Sequence, residues 1–186
     1  MEKQFYMACL DVAGRRCLVV GGGAVGYEKA TGLAACGAKV TVVSPHLHES
    51  FADLAVEWVP RRYRTDDLDG AFLVIAATSD REVNSRVSRD AERHGKLCNV
   101  ADVPELCNFI LPAVHRQGPI AVAVSTGGAS PALAKRLRSE IAEIVGPEHA
   151  ELAEELRSMR TEVKARLATY EERRDFFDAL VAERLS

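Results

Sequence analysis

The stretch that decides the fold is residues 15–26, RRCLVVGGGAVG. Residues 17–20 have the pattern of a short buried strand, and three consecutive glycines follow at once. Glycine packs no side chain and loses much backbone entropy on folding, so this run needs a reason. Gly21, Gly23 and Gly26 fit the pattern G-x-G-x-x-G, which gives a tight turn, close approach of a pyrophosphate and close helix packing. The stretch therefore predicts a dinucleotide site at the start of a helix.

The sequence around this stretch alternates between strand patterns and helix patterns. Its predicted strands are 17–20, 39–45, 55–60, 72–77 and 96–100, and its predicted helices are 28–36 and 81–95. Strands and helices that alternate at this spacing favour right-handed βαβ units around a parallel sheet. The predicted fold class is therefore α/β, with a Rossmann-like parallel sheet.

The pattern changes after the fifth predicted strand. Two strand-like runs, 109–112 and 119–125, flank a turn at 117–118, and Ser130 and Pro131 have the pattern of a helix N-terminus. The rest of the chain carries apolar stripes at helical spacing. We predict three parts: a Rossmann-like NAD-binding domain (1–112), a β-plus-helix segment (113–146) and a helical C-terminal domain (147–186).

Composition limits the choice of partners. The 186 residues are 47% hydrophobic and 27% charged, with a formal net charge of -3, so bulk charge gives no reason to expect nucleic acid or an anionic membrane as a partner. No apolar run approaches the roughly 20 residues of a membrane span, and the N-terminus lacks the pattern of a signal peptide. The five cysteines form no CxxC pair. We expect reduced thiols in a cytoplasmic protein.

The end of the second predicted strand, VVSPHLH, bears on the choice between NAD and NADP. NAD sites often place Asp or Glu here to bind the ribose 2′-hydroxyl, but this sequence has Ser44. No arginine follows directly to bind a 2′-phosphate, unless Arg61 or Arg62 folds back, so NAD is favoured. His46 and His48 have no further ligands nearby. We therefore interpret them as loop residues near the adenosine half and predict no metal site.

Further polar residues follow the predicted strands, where ligands of such sheets bind. The predicted NAD contacts are Gly21, Gly22, Gly23, Ala24, Val25, Ser44, Pro45 and Thr78. Asp80 is interpreted as a helix N-cap. Asp102 is either a group that takes and gives a proton or a turn residue ahead of Pro104. The stretch STGGASP (125–131) is either an anion site at a helix start or a flexible turn.

Together these motifs resemble the precorrin-2 dehydrogenase family, which includes the N-terminal module of siroheme synthase and bifunctional dehydrogenase/ferrochelatases. The resemblance covers most of residues 10–145 and fades in the helical tail. NVAD…NFILP followed by STGGASPALA is more specific than the glycine motif. The matching stretches are VVGGGAVGYEKA (19–30), VTVVSP (40–45), VIAATSDREVNSRVS (74–88), LCNVADVPELCNFILPA (97–113) and PIAVAVSTGGASPALAKRLRSEI (119–141).

The resemblance implies NAD-dependent oxidation of the tetrapyrrole precorrin-2 to sirohydrochlorin, on the route to siroheme. Asp102 matches the family's catalytic aspartate. Segment 113–146 matches a dimerisation region and implies a homodimer, and Thr126 lies where some relatives have a serine that can be phosphorylated. The residues expected to hold substrate carboxylates are Asn108, His115, Ser125, Thr126, Gly127 and Gly128, with Arg116 as a further candidate.

Three alternatives remain open at this point. Some family members also insert iron into sirohydrochlorin, and Asp102 could assist by accepting pyrrole protons. A regulatory NAD-sensing module would need the glycine loop but would have no use for Asp102 or STGGASP. A dehydrogenase for a small substrate would need a tight apolar site, whereas a tetrapyrrole needs an open cleft rich in cations or N–H groups.

Overall fold

A parallel sheet of five strands forms the centre of the first half of the chain. The structure, a computed structural model, describes residues 4–185. The strands lie in the order β3-β2-β1-β4-β5. Their bounds are β1 Arg16–Val20, β2 Lys39–Val43, β3 Glu57–Val59, β4 Leu73–Ala76 and β5 Leu97–Val100. Two helices, α1 Ala24–Ala34 and α2 Arg81–Arg93, complete the βαβ pattern, so the predicted α/β fold is confirmed.

The central strands are apolar on both faces because both faces are covered. On one face Leu18 and Val74 pack in a cluster with Val87 and Ala91 of α2. On the other face Val19 and Val42 pack with Ala30 of α1 and with Phe51. These two layers fix the sheet between its helices and leave the strand ends free to carry a site.

The strand order places a topological switch point at the centre of the sheet. β1 pairs with β2 on one side and with β4 on the other, and every pairing in the sheet is parallel. The chain connections therefore leave β1 and β4 in opposite directions, and a crevice opens at their carboxyl ends. Three short 3-10 segments, Glu49–Asp53, Thr65–Leu68 and Pro104–Leu106, complete this half.

The chain divides into two compact units between Leu111 and Pro112. The second unit contains an antiparallel hairpin and three helices. Their bounds are β6 Ala113–Gln117, β7 Ile120–Val124, α3 Pro131–Ile144, α4 Pro147–Arg166 and α5 Tyr170–Arg184. Ser130 caps α3 by accepting a hydrogen bond from the Leu133 N–H (3.2 Å), and Pro131 is the first helical residue, as predicted. The three-part division at 112 and 146 stays a prediction.

The strand predicted at 109–112 is wrong. The N–H groups of Asn108 and Phe109 both donate to the Cys98 carbonyl of β5 (3.0 and 3.4 Å), and Pro112 has no N–H to contribute to a ladder. The hairpin instead begins at Ala113, and it turns at Gly118, where φ is +54°. Among residues 4–185, no helix is long and apolar enough to cross a membrane.

Candidate active site

A cleft of about 570 Å³ lies at the carboxyl ends of the parallel strands. It is lined by residues that follow β1, β2, β3, β4 and β5. All eight predicted NAD contacts line it, and so does Asp102. Its volume is within the range of small-molecule and cofactor sites, which is about 300–1,000 Å³. The fold therefore brings the glycine loop and the predicted proton-transfer residue to one cavity.

Three glycines of the loop are required by the fold itself. Gly21 has φ +120°, and a Cβ there would collide with the Ala77 carbonyl. A Cβ on Gly22 would collide with the His46 carbonyl, and one on Gly26 with the Gly21 carbonyl. Because these neighbours are backbone atoms, they cannot rotate away. The glycine run thus lets β1, β2, β4 and α1 converge at one point.

Gly23 is glycine for a different reason. A Cβ on this residue would meet no atom within 4 Å, and its φ of -81° is open to any residue. Gly23 is the N-cap of α1, with no side-chain cap and no acidic residue in the first turn. The first N–H groups of the helix therefore face no internal partner, at the positive end of its dipole. Because these N–H groups can donate to an anion, a pyrophosphate fits the turn formed by Gly22, Gly23, Ala24 and Val25.

The β2 side of the cleft is fixed by contacts to Ser44. The Ser44 N–H donates to the Val59 carbonyl (3.2 Å), and the Ser44 carbonyl accepts a hydrogen bond from Nε1 of Trp58 (2.9 Å). Of the two arginines considered for this region, Arg61 is bound to both carboxylate oxygens of Asp67 (2.6 and 2.9 Å). Arg62 lines the cleft.

The turn after β4 is held by a residue that the sequence analysis missed. The buried Asn84 of α2 accepts a hydrogen bond from Oγ1 of Thr78 (2.7 Å) and donates to the Thr78 carbonyl (2.9 Å). Asn84 comes three residues before Val87 and seven before Ala91, which places it on the same buried face of α2. This helical spacing could have indicated its role. Asp80 accepts hydrogen bonds from the first N–H groups of α2, so its interpretation as an N-cap is confirmed.

Asp102 occupies an unusual backbone conformation directly after β5. Its φ is +60°, and among the non-glycine residues of the described chain no other has positive φ. The flanking turn is fixed, because Ala101 donates to the Ala76 carbonyl (2.9 Å) and Val103 to the Val100 carbonyl (3.3 Å). Positive φ is uncommon for a residue other than glycine, and Asp is one of the few residue types that adopt it readily. The exposed Asp102 side chain is thus held at the cleft by a rigid turn.

Tyr63 is the second proton-bearing side chain to consider at this cleft. Burial, together with the nearby carboxylate of Asp90, raises the pKa of its hydroxyl. The hydroxyl donates to Oδ2 of Asp90 (3.2 Å), so at neutral pH it is a protonated donor that is already engaged. Tyr63 is therefore not a base, and Asp102 is the better candidate.

Of the six predicted substrate contacts, Asn108 belongs to the same unit as the cleft but does not line it. Asn108 accepts a hydrogen bond from the Cys98 N–H (2.7 Å) and donates to the Lys96 carbonyl (2.9 Å). Nε2 of His115 is 2.9 Å from the Val145 carbonyl. Both side chains therefore support the backbone near them.

The other four predicted contacts form the turn before α3. Oγ of Ser125 accepts from the Gly127 N–H (3.2 Å), and Oγ1 of Thr126 accepts from the Ser130 N–H (3.0 Å). Gly127 and Gly128 have φ of +63° and +95°, which explains the glycine pair in conformational terms. This turn is ordered by its own hydrogen bonds, and its N–H groups lie at a helix N-terminus.

A parallel sheet with a glycine-rich turn at its switch point defines a dinucleotide-binding, Rossmann-like domain. Comparison with protein families agrees. The family model described as "Putative NAD(P)-binding" matches residues 8–113, more than half of the chain, and the chain belongs to this family. The models described as sirohaem biosynthesis protein central and sirohaem synthase dimerisation region match residues 117–144 and 149–186. The dimerisation description thus falls on the helical tail and not on segment 113–146.

Similar proteins cover this chain almost completely. The siroheme synthase of Methylobacillus flagellatus is 44% identical over 168 residues, which are 88% of this chain and 36% of that protein. The siroheme synthase of Azotobacter vinelandii is 42% identical over 183 residues, 94% of this chain and 39% of that protein. The chain therefore spans about two fifths of these relatives. A solved structure, "SirC, precorrin-2 dehydrogenase", has 26% identity and a TM-score of 0.80, covering 98% of this chain and 93% of that one.

Proposed function

We propose that this chain catalyses the NAD-dependent dehydrogenation of precorrin-2 to sirohydrochlorin in siroheme biosynthesis. The observation that carries the proposal is the shared cleft, in which Asp102 and the glycine loop line one cavity at the switch point of the sheet. The similarity to siroheme synthases and to a protein named precorrin-2 dehydrogenase supports the choice of substrate.

The proposed reaction removes two hydrogens from the substrate. One C–H bond breaks with its electron pair, and one proton is released. When bound, the dinucleotide supplies the hydride acceptor. Asp102 takes the proton at a carboxylate oxygen, and its rigid turn holds that oxygen at the cleft. The N-terminus of α1 would hold the pyrophosphate through Gly22, Gly23 and Ala24, and Ser44, Pro45 and Thr78 would hold the rest of the cofactor.

The substrate carries several carboxylates, and we assign the turn of Ser125, Thr126, Gly127 and Gly128 to binding them. This turn precedes the N-terminus of α3, where an anion is favoured. Asn108 and His115 are assigned a supporting part, because their polar atoms already bind backbone groups. This changes the two residues from substrate contacts to positioning residues.

We also propose that the chain is a cytoplasmic homodimer that pairs through residues 149–186. The match of this tail to a dimerisation model supports the pairing. Large apolar side chains of the tail are exposed, among them Tyr170, Phe176 and Leu185. None of the five cysteines is in a disulfide in the described structure.

An anaerobic assay tests the proposed activity. Purified chain is mixed with precorrin-2 and NAD, and NADH and the sirohydrochlorin spectrum are followed together. We expect one NADH for each sirohydrochlorin. If NAD binds and neither product forms, the chain is a sensor or another dehydrogenase, and the proposal is wrong.

The same assay decides the ferrochelatase alternative. Ferrous ion is added after sirohydrochlorin has formed, and its insertion is compared with the rate in buffer alone. Within residues 4–185, no group of three or more His, Cys, Asp or Glu side chains is placed to hold a metal ion, although insertion needs only transient contacts. Acceleration by the chain would add the second activity.

A further inference from the structure

Arg62 is a charged residue of the cleft, and it has no role in the proposed reaction. Among the described residues that line the cleft, no other side chain carries a positive charge. Arg62 is exposed, and no described residue makes a hydrogen bond or ion pair with its guanidinium. Its backbone carbonyl accepts a hydrogen bond from Arg61 (3.1 Å), but its side chain is left for a ligand.

The residues on both sides of Arg62 are fixed. Arg61 is held by two hydrogen bonds to Asp67. Tyr63 is buried, and its carbonyl accepts a hydrogen bond from Nη2 of Arg86 (2.7 Å), whose guanidinium also lies over the Tyr63 ring. The backbone of Arg62 is therefore anchored on both sides, and its position at the cleft is part of the fold.

Arg62 and Ser44 both line the cleft, and Arg62 comes three residues after Val59, which ends β3, the neighbour of β2 in the sheet. The Ser44 N–H is bonded to the Val59 carbonyl, and three residues of chain span at most about 11 Å. Asp102 follows β5, which forms the opposite edge of the sheet. In such folds the adenosine half of a dinucleotide lies near the end of the second strand. Arg62 is thus at the adenosine end, away from the reacting end.

We propose that Arg62 binds the 2′-phosphate of NADP, so that the cleft takes NADP as well as NAD. Two features favour this assignment. No carboxylate follows β2 to repel a phosphate, since Ser44 stands there. A guanidinium matches the geometry of a phosphate and binds it through charge-assisted hydrogen bonds. The inference rests on the proposed placement of the dinucleotide in this cleft, and it extends the cofactor specificity beyond the NAD expected from Ser44.

The test measures binding without turnover. NAD and NADP, both oxidised, are titrated into the whole chain by calorimetry. Fluorescence of Trp58, the one tryptophan, gives a second signal, because its indole is bonded to Ser44. The variant is Arg62→Ala. The matched control is Arg64→Ala, which removes an exposed arginine two residues away that does not line the cleft.

We expect the wild-type dissociation constants for NAD and NADP to agree within about tenfold. Arg62→Ala should reduce the affinity for NADP at least about tenfold, because that is the effect of losing a hydrogen bond to a charged group. The affinity for NAD should fall less than about threefold. Arg64→Ala should change neither. Equal losses for both dinucleotides, an unchanged affinity for NADP, or a wild type that binds neither would overturn the inference. If both bind as expected but precorrin-2 yields no NADH, the proposed function fails while the assignment of Arg62 stands.

Discussion

At the scale of single residues, the backbone of Asp102 decides which substitution is informative. Positive φ is accessible to Asn and Asp at low cost, but most other side chains are strained there. Asp102→Asn therefore keeps the turn while it removes the carboxylate's ability to accept a proton. Asp102→Ala would mix a chemical effect with a conformational one. Asn is accordingly the replacement on which a mechanistic conclusion can rest.

Gly23 gives a prediction that separates binding from folding. Gly23→Ala adds a methyl group where no protein atom lies within 4 Å, so the melting temperature should stay nearly unchanged. The methyl group occupies the space that the pyrophosphate needs, and we expect affinity for NAD to fall about tenfold or more. Calorimetric titration and thermal unfolding measure the two effects.

The control for this prediction is Gly32→Ala. A Cβ on Gly32 also meets nothing within 4 Å, but Gly32 is inside α1 and does not line the cleft. Affinity should be unchanged, and stability should rise slightly, because alanine is the better helix former. If Gly23→Ala binds NAD as well as Gly32→Ala does, the pyrophosphate does not lie on this loop.

At the scale of secondary-structure elements, the sequence predicts correctly those elements whose signal is local. The continuous apolar runs of β1 and β4 and the glycine motif are local signals, and they place the sheet and the cleft correctly. The run 109–112 carries the same apolar signal. Its backbone is bound to Cys98 of β5, and no local pattern records that contact. Arg62 lines the cleft, and Asn84 bonds to Thr78 of the cleft lining; both placements depend on tertiary contacts that no local pattern records.

The hydrogen bonds between Asn108 and the start of β5 give a prediction about stability. The side-chain amide of Asn108 accepts a hydrogen bond from the Cys98 N–H and donates one to the Lys96 carbonyl. Cys98 is buried. Asn108→Ala leaves the Cys98 N–H without this partner and should reduce the free energy of unfolding by about 1–3 kcal/mol. The KM for precorrin-2 should change less than about threefold. A large rise in KM with unchanged stability, measured by urea unfolding and initial rates, would restore Asn108 as a substrate contact.

The segment Thr65–Leu68 gives a pH-dependent prediction. Burial raises the pKa of Asp67, but hydrogen bonds from Arg61 and from the Arg64 N–H outweigh it, and the net pKa is lowered. A lowered folded-state pKa contributes stability above the unfolded value of about 4, and this contribution is lost as pH falls through the folded-state pKa. Asp67→Asn should cost about 1–2 kcal/mol at neutral pH and progressively less below about pH 4.

Urea unfolding of wild type and Asp67→Asn across this pH range measures the difference. Asp66→Asn is the matched control, because Asp66 is an exposed carboxylate of the same segment. Its effect on the free energy of unfolding should be small. A cost of Asp67→Asn that stays constant down to acid pH would mean that the ion pair with Arg61 is not its source.

At the scale of the whole molecule, the location of the dimer contact is testable with two substitutions. Phe176 is 37% exposed and lies in the tail matched by the dimerisation model, whereas Ile144 is 69% exposed and lies in segment 113–146. Phe176→Glu should convert a dimer to a monomer, because it would place a charge in an apolar contact. Ile144→Glu should leave the dimer intact. Light scattering after size exclusion measures the mass, and the reverse result would return the contact to segment 113–146.

The central claim is that Asp102 transfers the proton while the glycine loop binds the cofactor. The most direct measurement compares wild type and Asp102→Asn in an anaerobic assay with precorrin-2 and NAD, with NAD affinity determined on the same preparations. We predict equal affinity and NADH formation at least about 100-fold slower in the variant, the size of a general acid–base contribution. NADH formation at the wild-type rate by Asp102→Asn would contradict the claim.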